Sequence, residues 1–105
     1  MAELFSVINP ATEKLIKEIP ADDDTAITNK VKQARSAQPA WAARPLSDKI
    51  EAIKKFKDLL IEQADSLATT LTAETGKPIT QSKNEILATP QRIDFFIENV
   101  AQVLA

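Results

Sequence analysis

The side chains that most often carry out nucleophilic or metal chemistry are missing from this 105-residue sequence. It contains no cysteine and no histidine. There is therefore no thiol nucleophile, no imidazole base and no zinc site of the usual cysteine and histidine kind. Its one glycine, Gly76, also excludes phosphate-binding loops, which need several glycines for a close backbone approach. The sequence predicts that this chain alone has no catalytic residues, binds no metal and holds no cofactor.

The densest group of charged side chains is the run Asp22, Asp23 and Asp24. Three carboxylates could contribute to a site for a hard cation, but such a site needs further oxygen ligands at loop spacing. Aspartate oxygens also cap the first turn of a helix and favour its positive end. We therefore interpret the triplet as a helix start.

Three further candidates are explained by structure rather than by chemistry. Glu74 and Lys77 flank Gly76, and we interpret this group as a helix terminus, where a lysine meets the negative end of the helix dipole. We expect Arg35 to form a structural ion pair rather than to contact a ligand. We expect Trp41 to be a packing anchor, because neither an aromatic partner nor a series of interleaved basic residues accompanies it.

Composition narrows the class of protein. Apolar residues make up 44% of the chain, and 13 basic residues nearly balance 15 acidic ones. No basic block suggests nucleic-acid binding, and no apolar run reaches the length of a membrane span. The N-terminus also lacks the apolar region of a signal peptide. The sequence predicts a soluble, cytoplasmic protein with no nucleic-acid or membrane partner.

The first secondary-structure element that we predict is a β-hairpin over residues 1–20. Two short β-prone runs, around Phe5–Ile8 and Leu15–Ile19, are separated by a turn containing Asn9-Pro10. Glu13 is an unusual residue for this turn, because glycine would relieve the strain of a tight reversal better. A two-stranded hairpin is marginal alone and must lie against something else.

Helical periodicity occupies residues 22–105, and we predict three helices, at about 24–38, 46–75 and 79–104. The first should end before Pro39, because a residue that precedes proline avoids the α region. The second carries an apolar stripe with spacings of three and four, formed by Leu46, Ile50, Ile53, Leu60, Ala64, Leu67 and Leu71, and widened by Phe56, Leu59 and Ile61. Most of its charged residues, Lys57 included, should lie elsewhere on the circumference. The fold class is mainly α with a short N-terminal β-hairpin.

The second and third helices should form an antiparallel pair. Gly76 provides a left-handed C-terminal cap, and the link over residues 75–78 is too short for any other arrangement. Pro90 interrupts the third helix, because it lacks an N–H donor and crowds the carbonyl of Ile86. We predict a kink or break over residues 87–89.

Three stretches resemble the N-terminal part of the aldehyde dehydrogenase superfamily. Residues 7–12, VINPAT, are similar to the family's I-N-P-A-T-G-E opening. Residues 33–41, QARSAQPAW, followed by Pro45, resemble its A-R-x-A-F-x-x-W…P segment, and residues 74–78, ETGKP, match its E-T-G-K-P. The chain departs from the pattern at Glu13, Gln38, Lys49 and Pro90. The order and spacing of the stretches cover almost the whole chain.

The resemblance implies that residues 1–105 are one segment, the N-terminal part of the cofactor-binding domain of a larger enzyme. That parent would oxidise an aldehyde to a carboxylic acid with NAD or NADP, using a cysteine thiolate and a glutamate-activated water. No catalytic, cofactor-binding or metal residue is assigned to this chain. Ile8 and Glu85 are the nearest equivalents of a family cation site, but we interpret Glu85 as a solvated surface residue.

An alternative is a non-enzymatic helical module for interaction or oligomerisation. Both hypotheses predict that the chain has partners, because the stripe of the second helix represents on the order of 10–20 kcal/mol when buried. The partner would be the rest of the parent chain, and the chain alone should self-associate through its helices. The sequence leaves open the aldehyde, the choice between NAD and NADP, and the native oligomer.

Overall fold

The computed structural model describes residues 3–105, which form two strands and four helices in two compact units. Residues 1 and 2 of the predicted hairpin lie outside the described residues. The first unit ends at Arg44 and the second runs from Pro45 to Ala105. The elements are β1 (Leu4–Ile8), β2 (Leu15–Pro20), α1 (Asp24–Ala43), α2 (Leu46–Glu62), α3 (Ala64–Thr75) and α4 (Ile79–Leu104). The predicted fold class is confirmed, but the predicted number of helices is wrong.

The hairpin of the first unit is held by its turn. β1 and β2 pair antiparallel, from Leu4 opposite Pro20 to Ile8 opposite Leu15, with an irregularity between Val7 and Ile8. In the turn, Asn9 Oδ1 accepts hydrogen bonds from the backbone N–H groups of Ala11 (2.9 Å) and Thr12 (3.2 Å). Asparagine suits this position because its side chain can bond the backbone two residues on.

The helix α1 extends five residues further than predicted. It continues through Pro39 to Ala43, so Gln38 is helical although it precedes a proline. The preference against the α region before proline is a bias rather than a prohibition. Here the following residues Ala40, Ala42 and Ala43 favour helix, and alanine has the highest helix propensity.

The predicted helix 46–75 is two helices rather than one. Gln63 separates α2 from α3 with backbone angles of φ −99° and ψ 13°, outside the α region. Hydrogen bonds nevertheless continue on both sides, from Gln63 N–H to the carbonyl of Leu59 and from Leu67 N–H to the carbonyl of Gln63. The interruption involves one residue, and neither glycine nor proline stands near it to mark it in the sequence.

Of the predicted kink or break near Pro90, the break is absent, because α4 runs without interruption from Ile79 to Leu104. Pro90 is buried within this helix. It lacks the N–H that would bond the carbonyl of Ile86, but a long helix with tertiary support tolerates the loss of one bond.

In the second unit, α2 and α3 both pack against α4 in the predicted antiparallel sense. Small residues line the closest approach of α3 to α4: Ala68 and Ser82 have no exposed surface, and Ala64 is also buried. Thr72 Oγ1 and Ser82 Oγ share a hydrogen bond of 2.8 Å across the two helices. Small side chains let the backbones approach, and the hydroxyl pair satisfies the buried serine.

None of the helices within residues 3–105 combines the length and the apolar character needed to cross a membrane.

Candidate interaction surface

One side of the α2–α4 pair is ionic. Lys57 Nζ of α2 donates a hydrogen bond of 2.7 Å to Asp94 Oδ1 of α4. This hydrogen bond raises the pKa of Lys57 above its ordinary value of 10.5, and the nearby carboxylates of Asp94, Asp58 and Glu98 raise it further, against a partial loss of solvation. Lys57, Asp94, Asp58 and Glu98 therefore form the polar side of the α2–α4 pair.

The opposite side of the same pair is apolar. Residues two apart on a helix point about 160° away from each other. Phe56 therefore lies opposite Asp58 on α2, and Phe96 lies opposite Asp94 on α4. Since both aspartates surround Lys57, both rings project from the other side of the pair.

Helical spacing extends this side along both helices. We define the apolar side by five exposed residues, Ile53, Phe56, Leu59, Phe96 and Val103. The first three recur at intervals of three on α2, and Val103 lies seven residues, two turns, after Phe96 on α4. Phe56 is 52% exposed and Phe96 is 69% exposed. Exposed aromatic residues grouped in this way are typical of an interaction surface.

An open cleft lies beside this side on α4. It is lined by Ala88, Gln91, Arg92, Phe95 and Phe96, and the two rings meet edge to face with centroids 5.5 Å apart. Arg92 is the one titratable side chain in the lining. One cation beside two rings provides no acid–base pair and no nucleophile. The cleft therefore offers a place for contact rather than for catalysis.

The three aspartates begin a helix, as predicted. Asp23 is the N-cap of α1, and its Oδ1 accepts a hydrogen bond of 2.7 Å from the N–H of Ala26. Asp24 lies in the first turn, and Asp22 forms an ion pair with Lys30. Within the part of the chain that the structure describes, no three acidic side chains come together as metal ligands.

The glycine cap is also confirmed. Gly76 ends α3 in the left-handed region at φ 75°, and its N–H bonds the carbonyl of Thr72 at 2.9 Å. The ammonium of Lys77 pairs with the carboxylate of Glu85, so this candidate cation residue has a basic partner. Ile8, the other residue considered for a cation site, lies in the first unit.

Two other residues differ from expectation. Trp41 is half-exposed rather than buried in a core, and the guanidinium of Arg44 lies 5.4 Å from its ring centroid, in a cation–π contact. Arg35, expected in an ion pair, forms none with the other residues between 3 and 105.

Sequence reasoning missed the role of Lys57. The spacing of the stripe predicts that Lys57 lies away from it, yet the Lys57 side chain is only 22% exposed and reaches α4. A signal was available, because Lys57 is seven residues after Ile50 and seven before Ala64, both of them stripe positions. A long aliphatic stem can lie along an apolar face while its ammonium reaches a carboxylate.

Comparisons with known proteins give a consistent result. The model of the aldehyde dehydrogenase family matches residues 1–105. The chain is 30% identical to a glutarate-semialdehyde dehydrogenase of Pseudomonas putida over 96% of its own length and 21% of the relative's. It is 31% identical to an N-succinylglutamate 5-semialdehyde dehydrogenase of Pseudomonas fluorescens over 92% of its length and 20% of that relative.

A solved structure has the same fold over this region. An aldehyde dehydrogenase from Brucella melitensis biovar abortus 2308 superposes with a TM-score of 0.90 at 29% identity, covering 96% of this chain and 21% of that one. The chain therefore spans about a fifth of the length of the relatives it matches.

Proposed function

The chain belongs to the aldehyde dehydrogenase family, and from this we propose that it is the N-terminal segment of an enzyme that oxidises an aldehyde to a carboxylic acid with NAD or NADP. The observation that carries the proposal is the family match over residues 1–105. The order of the three motifs along the chain supports an N-terminal position in such an enzyme. VINPAT comes first, then QARSAQPAW, then ETGKP.

The substrate class that we propose is an aldehyde that carries a carboxylate. The relatives include enzymes named for glutarate semialdehyde, N-succinylglutamate 5-semialdehyde, malonate semialdehyde and succinate semialdehyde. Each of these compounds has an acidic group as well as the aldehyde. The residues that would recognise that group belong to the remaining polypeptide.

The chain's own contribution is structural. Without cysteine or histidine, it supplies no thiolate to attack an aldehyde and no imidazole to move a proton. It supplies paired helices and a hairpin whose apolar residues would pack against the rest of the enzyme. Eighteen large apolar residues between 3 and 105 are exposed, which is the surface that such packing would cover. We place the enzyme in the cytoplasm.

An activity assay tests this proposal. The product of the complete reading frame should reduce NAD or NADP when given succinate or glutarate semialdehyde, and the purified 105-residue chain, as the matched control, should not. A folded full-length product that fails to turn over these and simpler aldehydes would contradict the enzymatic assignment. Turnover by the 105-residue chain would instead contradict its structural role.

The helical interaction module remains the second candidate, and the apolar side of the α2–α4 pair favours it. The two candidates differ in whether a catalytic cysteine is supplied by the same reading frame. The translated sequence of the complete reading frame decides between the two candidates.

A further inference from the structure

No further inference is drawn: the strongest candidate, the open cleft on α4 beside Arg92, Phe95 and Phe96, belongs to the exposed surface that the rest of the enzyme would cover, and nothing within residues 3–105 shows another occupant.

Discussion

Glu13 shows how one side chain can conflict with the turn that contains it. The residue has φ 60°, in the left-handed region that costs a non-glycine residue roughly 1–2 kcal/mol. The turn keeps this geometry because Asn9 binds the backbone of the next residues and its carbonyl accepts from the Glu13 N–H at 2.8 Å. The resemblance to the family motif places a glycine here, and the backbone explains why.

Replacing Glu13 with glycine should therefore stabilise the hairpin unit. We expect Glu13→Gly to raise the free energy of unfolding by about 0.5–1 kcal/mol, since the relief of strain exceeds the added entropy of the unfolded chain. Urea denaturation followed by circular dichroism measures the change. Glu13→Ala is the control, because alanine keeps a Cβ and should bring no gain.

Lys57 makes stability depend on pH at the alkaline end. Its pKa is raised in the folded chain, first by the hydrogen bond to Asp94. A raised pKa means that the stabilisation is complete below the ordinary value of 10.5 and is lost as the pH rises through the higher folded value. The second unit should therefore lose stability above about pH 10.5.

Thermal unfolding at a series of alkaline pH values measures this loss. Lys57→Met keeps most of the aliphatic stem but removes the charge, so its stability should change less over the same pH range. An equally steep loss in Lys57→Met would show that another group causes the effect.

At the scale of the element, α1 tolerates a residue that usually ends helices. Pro39 lies inside the helix and is exposed, so its ring contributes little packing to offset the missing N–H. Pro39→Ala should raise helix content and stability by up to ~3 kcal/mol, the difference between proline and alanine in a helix interior. Far-ultraviolet circular dichroism and urea denaturation measure the two effects. Ala40→Ser, at an exposed neighbour, should lower stability slightly.

The irregularities of the second unit lie about one helical turn apart. Lys57 pairs with Asp94, Asp65 with Lys83, and Thr72 with Ser82. In this antiparallel alignment, the interruption at Gln63 lies at about the level of Glu85 and Ile86, roughly one turn before Pro90 on α4. A helix that contains a buried proline has altered local geometry, and the interruption at Gln63 lets α2 and α3 each follow α4.

At the scale of the whole molecule, the described chain has little core. Ala64, Ala68 and Pro90 are its buried residues with apolar side chains among 3–105, against eighteen large apolar residues that are exposed. Burial of large apolar side chains is the main source of folding free energy. We propose that the chain depends on contacts that a partner would supply.

Its stability as a monomer should accordingly be low. We expect a free energy of unfolding below the ~5 kcal/mol that marks the lower limit for ordinary domains. Urea denaturation at low protein concentration gives the value. Stability should rise with protein concentration if copies associate. A concentration-independent value above that limit would contradict this account.

The sequence determined the local elements and the family. Asn9 and Pro10 set the turn, Asp23 the start of α1, and Gly76 the end of α3, because each acts on the backbone within a few residues of itself. The periodic stripes likewise predicted helices over most of residues 24–104.

Only the tertiary structure decided where the helices are interrupted and which helix faces are covered. Gln63 interrupts a helix that no local signal ends, whereas Pro90 remains inside a helix that local rules would break. The physical reason is that packing between distant residues, such as Lys57 with Asp94 or Thr72 with Ser82, outweighs backbone preferences of one to three kcal/mol. The same packing separates the ionic side of the α2–α4 pair from the apolar side, which no single helix pattern reveals.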